Sequence, residues 1–261
     1  MGSNEASPFL DLDHPVTTYE FIKLVLLFPL ALIRLISILV IFTLVWLPCR
    51  IHVLLHSAQS TQSTELLQSS RFIDWWVKVG SRALLFASGW MWITIKGKQH
   101  LEKSSTIFVY NHVTFADPVV LLAVLGGHSG IAKASVAELP FVGAISRALQ
   151  YIFIQRRNSV GDLGASHRFA QQSSPQEVLN ERVQSHPERF LILAPEGTTK
   201  SANCLLQFRK GAFVPGLPVM PVLLRYERNR HFNPGWGVPY NDLFHGMYWT
   251  LCDRRSLKRM F

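Results

Sequence analysis

The sequence predicts an α/β fold, a central mixed sheet flanked by helices, with a membrane-embedded helix at its N-terminal end. Three observations lead there. An almost wholly apolar run extends from Leu24 to Leu47. After residue 96 short β-type runs alternate with helical segments, the pattern of a sheet with helices packed on it. Hydrophobic residues reach 48% against 16% charged, more apolar than an ordinary soluble domain.

The 261 residues have room for one substantial core and something more. A net charge of +9 points to an anionic partner, either nucleic acid or a lipid surface. Nucleic-acid modules carry dense Lys/Arg runs, and the only such cluster is the tail Arg254, Arg255, Lys258 and Arg259. A chain both basic and apolar fits an anionic bilayer better, so no nucleic-acid partner is expected. Cys49, Cys204 and Cys252 are odd in number and far apart, which offers neither a disulfide framework nor a zinc spacing.

Residues 1–20 form a polar lead-in with Glu5, Asp11, Asp13 and Glu20. Ala6 stands where N-myristoylation wants Ser or Thr, and the acidic flank does not suit a secretory signal. Residues 21–95 read as a membrane-associated helical region. Its apolar run is long enough for a bilayer core, which takes about 20 helical residues. Pro29 bends a helix, and Arg34 at mid-membrane costs roughly 2.5–3.5 kcal/mol. A kinked or re-entrant helix therefore stands beside a straight crossing, while a buried soluble helix is disfavoured by length. Arg50, Arg71, Lys78 and Arg82 follow the run and acids precede it, so its C-terminal side is expected in the cytosol. Residues 57–70 read as a polar linker. Ala83 to Ile95, with Trp90 and Trp92, is too short to span and reads as an interfacial helix or a core helix.

Residues 96–261 read as the α/β domain. Thr106–Tyr110, Tyr151–Ile154, Phe190–Ala194 and Val219–Tyr226 are predicted strands, and Pro118–Leu125 and Pro175–Ser185 predicted helices. The strongest chemical signal is Asn111-His112-Val113-Thr114-Phe115-Ala116-Asp117, directly after a strand. Positions five apart on a helix diverge by about 140°, so His112 and Asp117 must meet across a turn. Asp117-Pro118 supplies that turn as N-cap and first helical residue, with Gly126-Gly127 as the stop. A carboxylate on one ring nitrogen fixes the tautomer and leaves the other as a base. A structural histidine beside a helix cap is the competing reading.

Leu193 to Ser201 follows a strand and places Glu196 beside Gly197, where a ligand can approach the backbone. Phe208 to Phe213 carries Arg209 and Lys210, cations able to hold phosphate. Asn-His-x4-Asp, then Phe153-Ile154-Gln155-Arg156, then Pro195-Glu196-Gly197-Thr198, then Val219-Met220-Pro221-Val222 resembles the four ordered motifs of glycerolipid acyltransferases. Pro195 to Thr199, Phe208 to Gly216 and Pro221 to Tyr226 are similar to the lysophosphatidylcholine acyltransferase branch. The likeness runs from about residue 16 to 252.

The resemblance implies that His112 is a general base for an acceptor hydroxyl and that Asp117 orients it. It implies acyl-CoA as donor, a lysophospholipid as acceptor, the lipid bilayer as partner, and no cofactor or metal. Asn111 belongs to the motif. Arg156 would hold the acceptor's phosphate with Phe153 in support, Glu196, Gly197 and Thr198 would bind acceptor, and Pro221 would line the acyl region. The implied setting is phospholipid biosynthesis at the endoplasmic reticulum, with the domain facing the cytosol.

Some departures bear on this. Thr199 stands where some relatives have Arg, with Lys200 next to it, and Arg157 neighbours Arg156. Family members commonly continue into calcium-binding modules, and here no Asp-rich calcium loop precedes Phe261. A catalytically inactive short member, acting as a lipid-binding or scaffold protein, is thus the alternative. A hydrolase lacks support, since no Gly-x-Ser-x-Gly elbow occurs.

Overall fold

A computed structural model describes residues 18–57, 70–101, 107–154, 175–185, 189–199 and 205–226. In chain order the elements are α1 (Thr18–Ser57), α2 (Arg71–Ala87), the four-residue α3 (Lys98–Leu101), β1 (Ile107–Tyr110), α4 (Asp117–Leu125) and β2 (Ser129–Lys133). A 3-10 turn over Ala134–Glu138 leads to α5 (Val142–Ala148), β3 (Ile152–Ile154), α6 (Pro175–Ser185) and β4 (Leu191–Leu193). A second 3-10 turn, Lys210–Ala212, precedes β5 (Val219–Val222).

The apolar run predicted from Leu24 to Leu47 is the middle of a longer helix. The 40 residues of α1, at 1.5 Å rise each, extend about 60 Å. Its stretch Val25–His56 is long and apolar enough to cross a membrane, and only 6% of its most apolar window is buried within the protein. Burial in its second half falls on Val45, Cys49 and Val53, which pack with Ile73 and Val77 of α2, Leu122 of α4 and Ala148 of α5. The crossing of α1 and α2 depends on Gly80, because any Cβ there would overlap the Val45 side chain. Pro48 is accommodated too. It has no N–H for the carbonyl four residues back, Leu44, and the Trp76 indole of α2 donates there instead at 3.1 Å. Arg34 turns to the protein as well: its guanidinium lies over Gly89, just past α2.

α2 begins at Ser70, whose hydroxyl accepts from the Ile73 N–H. The apolar patch read as Ala83 to Ile95 divides accordingly. Leu84, Leu85 and Trp90 are core, whereas Trp92 is 66% exposed beyond the helix end.

The five described strands lie in the order β3-β2-β4-β1-β5. All four described pairings are parallel, where the sequence allowed a mixed sheet; the α/β class with flanking helices stands. Parallel neighbours need crossovers, and α4, α5 and α6 supply them. Among the described residues β5 is an edge strand, which is where Pro221 is tolerated. The predicted limits of β3, β4 and β5 shrink by one, two and four residues, and Thr106, the predicted start of β1, lies outside the described residues. The largest change is at β5, whose ladder stops at Val222 because Leu224 bonds a side chain instead. β2 was not predicted, since Ser129-Gly130-Ile131-Ala132-Lys133 has one β-branched residue. Helix Pro175–Ser185 has its predicted limits, and Gly126 ends α4 at φ +88 as expected. The core runs from α2 through the sheet: Leu85 and Trp90 pack with Phe108, Val120, Leu121 and Ile192.

Candidate active site

A parallel sheet sends every strand toward the same edge, and ligands of open α/β sheets bind outside the carboxyl ends. Here the loops leaving β1 and β4 carry two of the four sequence motifs, β5 is itself the third, and β3 holds the described start of the fourth. Segments over a hundred residues apart in sequence are thereby brought to one side of the sheet.

At the end of β1 the chain turns through Asn111 to Ala116 and enters α4 at Asp117. The sequence placed Asp117 as the N-cap; the structure makes Ala116 the cap residue and Asp117 part of the first turn. From there the carboxylate folds back over the preceding loop rather than forward onto its own helix. Its Oδ2 accepts from the Val113 N–H at 2.7 Å, the Thr114 N–H at 3.0 Å and His112 Nδ1 at 2.8 Å. Its Oδ1 accepts from the Tyr226 hydroxyl. Asp117 is 0% exposed, and the His112 side chain 20%. Because a carboxylate accepts, Nδ1 carries the hydrogen of the pair, which in the neutral ring leaves the lone pair on Nε2. The turn between two residues five apart, expected from sequence, is present.

Asn111 anchors the same loop. Its Nδ2 donates to the Leu224 carbonyl at 2.9 Å and its Oδ1 accepts from the Leu224 N–H at 2.7 Å. The segment after β5 is thus stitched to the start of the histidine loop. Two residues on, Tyr226 is buried beneath Asp117, its ring 5.9 Å from that of Trp90. Burial, and then the neighbouring Asp117, holds the Tyr226 phenol well above its usual range, so it carries its proton and donates. Burial raises the Tyr110 phenol too, and its ring lies 5.6 Å from His112.

The loop after β4 has its own lock. Gly197 adopts φ +68, its N–H bonding to the Ala194 carbonyl at 2.9 Å. A Cβ at Gly197 would lie 2.7 Å from Arg209 Nε, so the glycine makes room for that arginine to pass. The Arg209 N–H bonds the Pro195 carbonyl at 2.8 Å, tying the two segments together. Glu196 is 5% exposed, and its Oε2 accepts from the Leu206 N–H. The Thr198 hydroxyl points to the Thr199 carbonyl, and Lys210 is exposed at the start of the second 3-10 turn.

Not every candidate lies together. Phe153 sits within β3, three strands from β1, which is about 14 Å at sheet spacing, and its ring is in the core. Pro221 sits within β5, paired with Val109. Arg156 lies outside the described residues, as do Arg157, Lys200, Cys204, Cys252, the linker from 58 to 69 and the basic tail. Tyr226 was not singled out for the histidine–aspartate pair. The signal for it was an aromatic residue closing the Pro221 to Tyr226 segment. Among the described residues no group of three His, Cys, Asp or Glu side chains could hold a metal ion.

Fold and loop together define an α/β protein with a buried-carboxylate histidine pair at the carboxyl edge of a parallel sheet. A family model for acyltransferases matches residues 92–225, about half the chain, and the chain belongs to that acyltransferase family. It is 33% identical over 240 residues to the lysophospholipid acyltransferase LPEAT2 of Arabidopsis thaliana, covering 91% of this chain and 41% of that protein. It is 26% identical over 189 residues to lysophosphatidylcholine acyltransferase 1 of Danio rerio, covering 69% and 34%. With lysophosphatidylcholine acyltransferase 2 of Rattus norvegicus the identity is 36% over 155 residues, covering 58% and 26%. The chain therefore spans less than half the length of these curated relatives. Among solved structures, the 1-acyl-sn-glycerophosphate acyltransferase PlsC from Thermotoga maritima is similar at TM-score 0.48 and 16% identity, covering 78% of this chain and 79% of that one.

Proposed function

We propose that this chain transfers a fatty acyl group from acyl-CoA to the free hydroxyl of a lysophospholipid, with a lysophosphatidylcholine-type acceptor favoured. The observation that carries the reading is the His112–Asp117 contact at 2.8 Å on a carboxylate met by three further donors. Such a carboxylate holds the imidazole in one tautomer and stabilises the imidazolium as it forms. His112 Nε2 takes the acceptor's hydroxyl proton while the oxygen attacks the thioester carbonyl. The tetrahedral adduct then expels the CoA sulfur, which receives the proton from the imidazolium, and no acyl-enzyme is needed. General-base help of this kind contributes roughly 10²- to 10⁴-fold.

The remaining residues take their parts from the family resemblance. Arg156 would hold the acceptor's phosphate through a charge-assisted bond, with Phe153 behind it. Glu196, Gly197 and Thr198 would shape the acceptor loop, Lys210 would meet phosphate, and Pro221 the acyl region. Asn111 would set the height of the histidine loop. The exposed apolar surface of α1 would embed in the bilayer of the endoplasmic reticulum, seating the domain on the cytosolic face. Arg50, just past the Leu24–Leu47 run, would meet anionic headgroups, where each cation contributes about 1 kcal/mol.

The test is transfer by the purified full chain in lipid nanodiscs, with labelled acyl-CoA and a panel of lysophospholipids. Diacyl product is expected, with acceptor choice read in the same assay. His112→Ala should abolish turnover at an unchanged melting temperature. Acyl-CoA binding without turnover in the wild type would instead favour the lipid-binding alternative.

A further inference from the structure

We infer that Tyr226 is a positioning residue for the His112–Asp117 pair, locking the carboxylate from its far side so that Oδ2 stays committed to the histidine. The inference deepens the acyl-transfer reading and rests on it. Three donors reach Asp117 Oδ2, all from residues within five positions. Among the described residues only Tyr226, 109 residues away, donates to Oδ1. The terminal torsion of an aspartate is soft and nearly two-fold, so donors gathered on one oxygen do not fix the carboxylate plane. A donor on the opposite oxygen does. Without it the buried Oδ1 loses that donor, and the group gains by rotating toward whichever other donor it can find.

Tyr226 is itself held on two sides. The reciprocal Asn111–Leu224 bonds fix the backbone two residues before it, and Trp90 packs against its ring. Asn111 directly precedes His112, so one clamp registers the base and the lock together. Tyr226 is 9% exposed and acts through Asp117.

Tyr226→Phe removes the hydroxyl and keeps the ring against Trp90. With acyl-CoA and lysophosphatidylcholine, kcat should fall about tenfold or more, the range of one charge-assisted bond. KM for both substrates should stay within about twofold, since no binding contact is lost. The acid limb of the kcat/KM profile should move to higher pH, because Oδ1 no longer shares its charge with a donor. In an Asp117→Asn background the same change should do almost nothing further. Equal losses in both backgrounds would overturn the proposal.

A second readout does not need turnover. In protein with ring-¹⁵N-labelled histidine, the His112 Nδ1–H resonance, assigned by its loss in His112→Asn, should move in Tyr226→Phe. Should that variant not fold, 3-fluorotyrosine at position 226 keeps the packing and must move the same resonance. An unmoved resonance refutes the lock. A resonance that moves in a protein without transferase activity sinks the acyl-transfer reading and leaves the lock standing.

Discussion

The Trp76 indole N–H donates to the Leu44 carbonyl, the one backbone acceptor that Pro48 leaves without its usual helical partner. A side chain of α2 thus repairs the hydrogen-bond ladder of α1. Trp76→Phe should destabilise the protein by about 1 kcal/mol, the net value of a typical hydrogen bond. In a Pro48→Ala background the loss should shrink, because an alanine backbone supplies the N–H that proline lacks. Denaturant midpoints of the four proteins give the coupling directly.

Asp74 of α2 meets Arg189, just before β4, through Oδ1 at 2.8 Å and Oδ2 at 3.3 Å. The Arg189 side chain is 4% exposed, that of Asp74 26%. Removing one partner of a buried pair leaves a desolvated charge behind. Asp74→Ala should therefore cost about 3 kcal/mol, the low end for such pairs because the acid is partly exposed. Conservative Asp74→Glu should not rescue it, since Gly127 presses against Asp74 and leaves no room for a longer side chain. Thermal melts of both variants test this.

His128 is fully buried, and burial pushes its imidazole down from 6.5 to about 3. The unfolded chain then binds a proton that the native one refuses between those values. The His128 contribution to stability should be full above pH 6.5 and be lost as the pH drops toward 3, by about 1.4 kcal/mol per pH unit. His128→Gln should flatten that slope between pH 6 and 4, measured as the melting temperature against pH.

Asn111 spends both ends of its carboxamide on Leu224. Asn111→Ala should lower kcat by releasing the histidine loop and also destabilise the fold by about 1–3 kcal/mol, since it strands two buried backbone groups. Asn111→Asp keeps the acceptor but turns the donor into a carboxylate oxygen facing the Leu224 carbonyl, so it should not restore either measurement.

The His112–Asp117 turn is legible in the sequence because both partners lie on one short loop before an Asp-Pro helix start. What was misread was the direction of the carboxylate. An acid at a helix start reads as a cap, yet the Val113 and Thr114 N–H groups behind it capture it first. The alternation of strands and helices revealed the fold class but not the strand order, which no local pattern encodes. β2 escaped because its place inside the sheet comes from its neighbours, with the Tyr151 ring lying against Gly130. Arg34 looked like a charge facing lipid; only the tertiary structure supplies Gly89 as its seat.

The bond from Tyr226 to Asp117 closes a span of 109 residues. The histidine and its carboxylate can meet as soon as their short loop exists, but their fourth donor arrives only when β5 has docked beside β1. Loop closure of that length is slow to form and late to be rewarded. The alignment of the base is therefore tied to a long-range pairing, so a correctly held carboxylate also reports that β5 has docked beside β1.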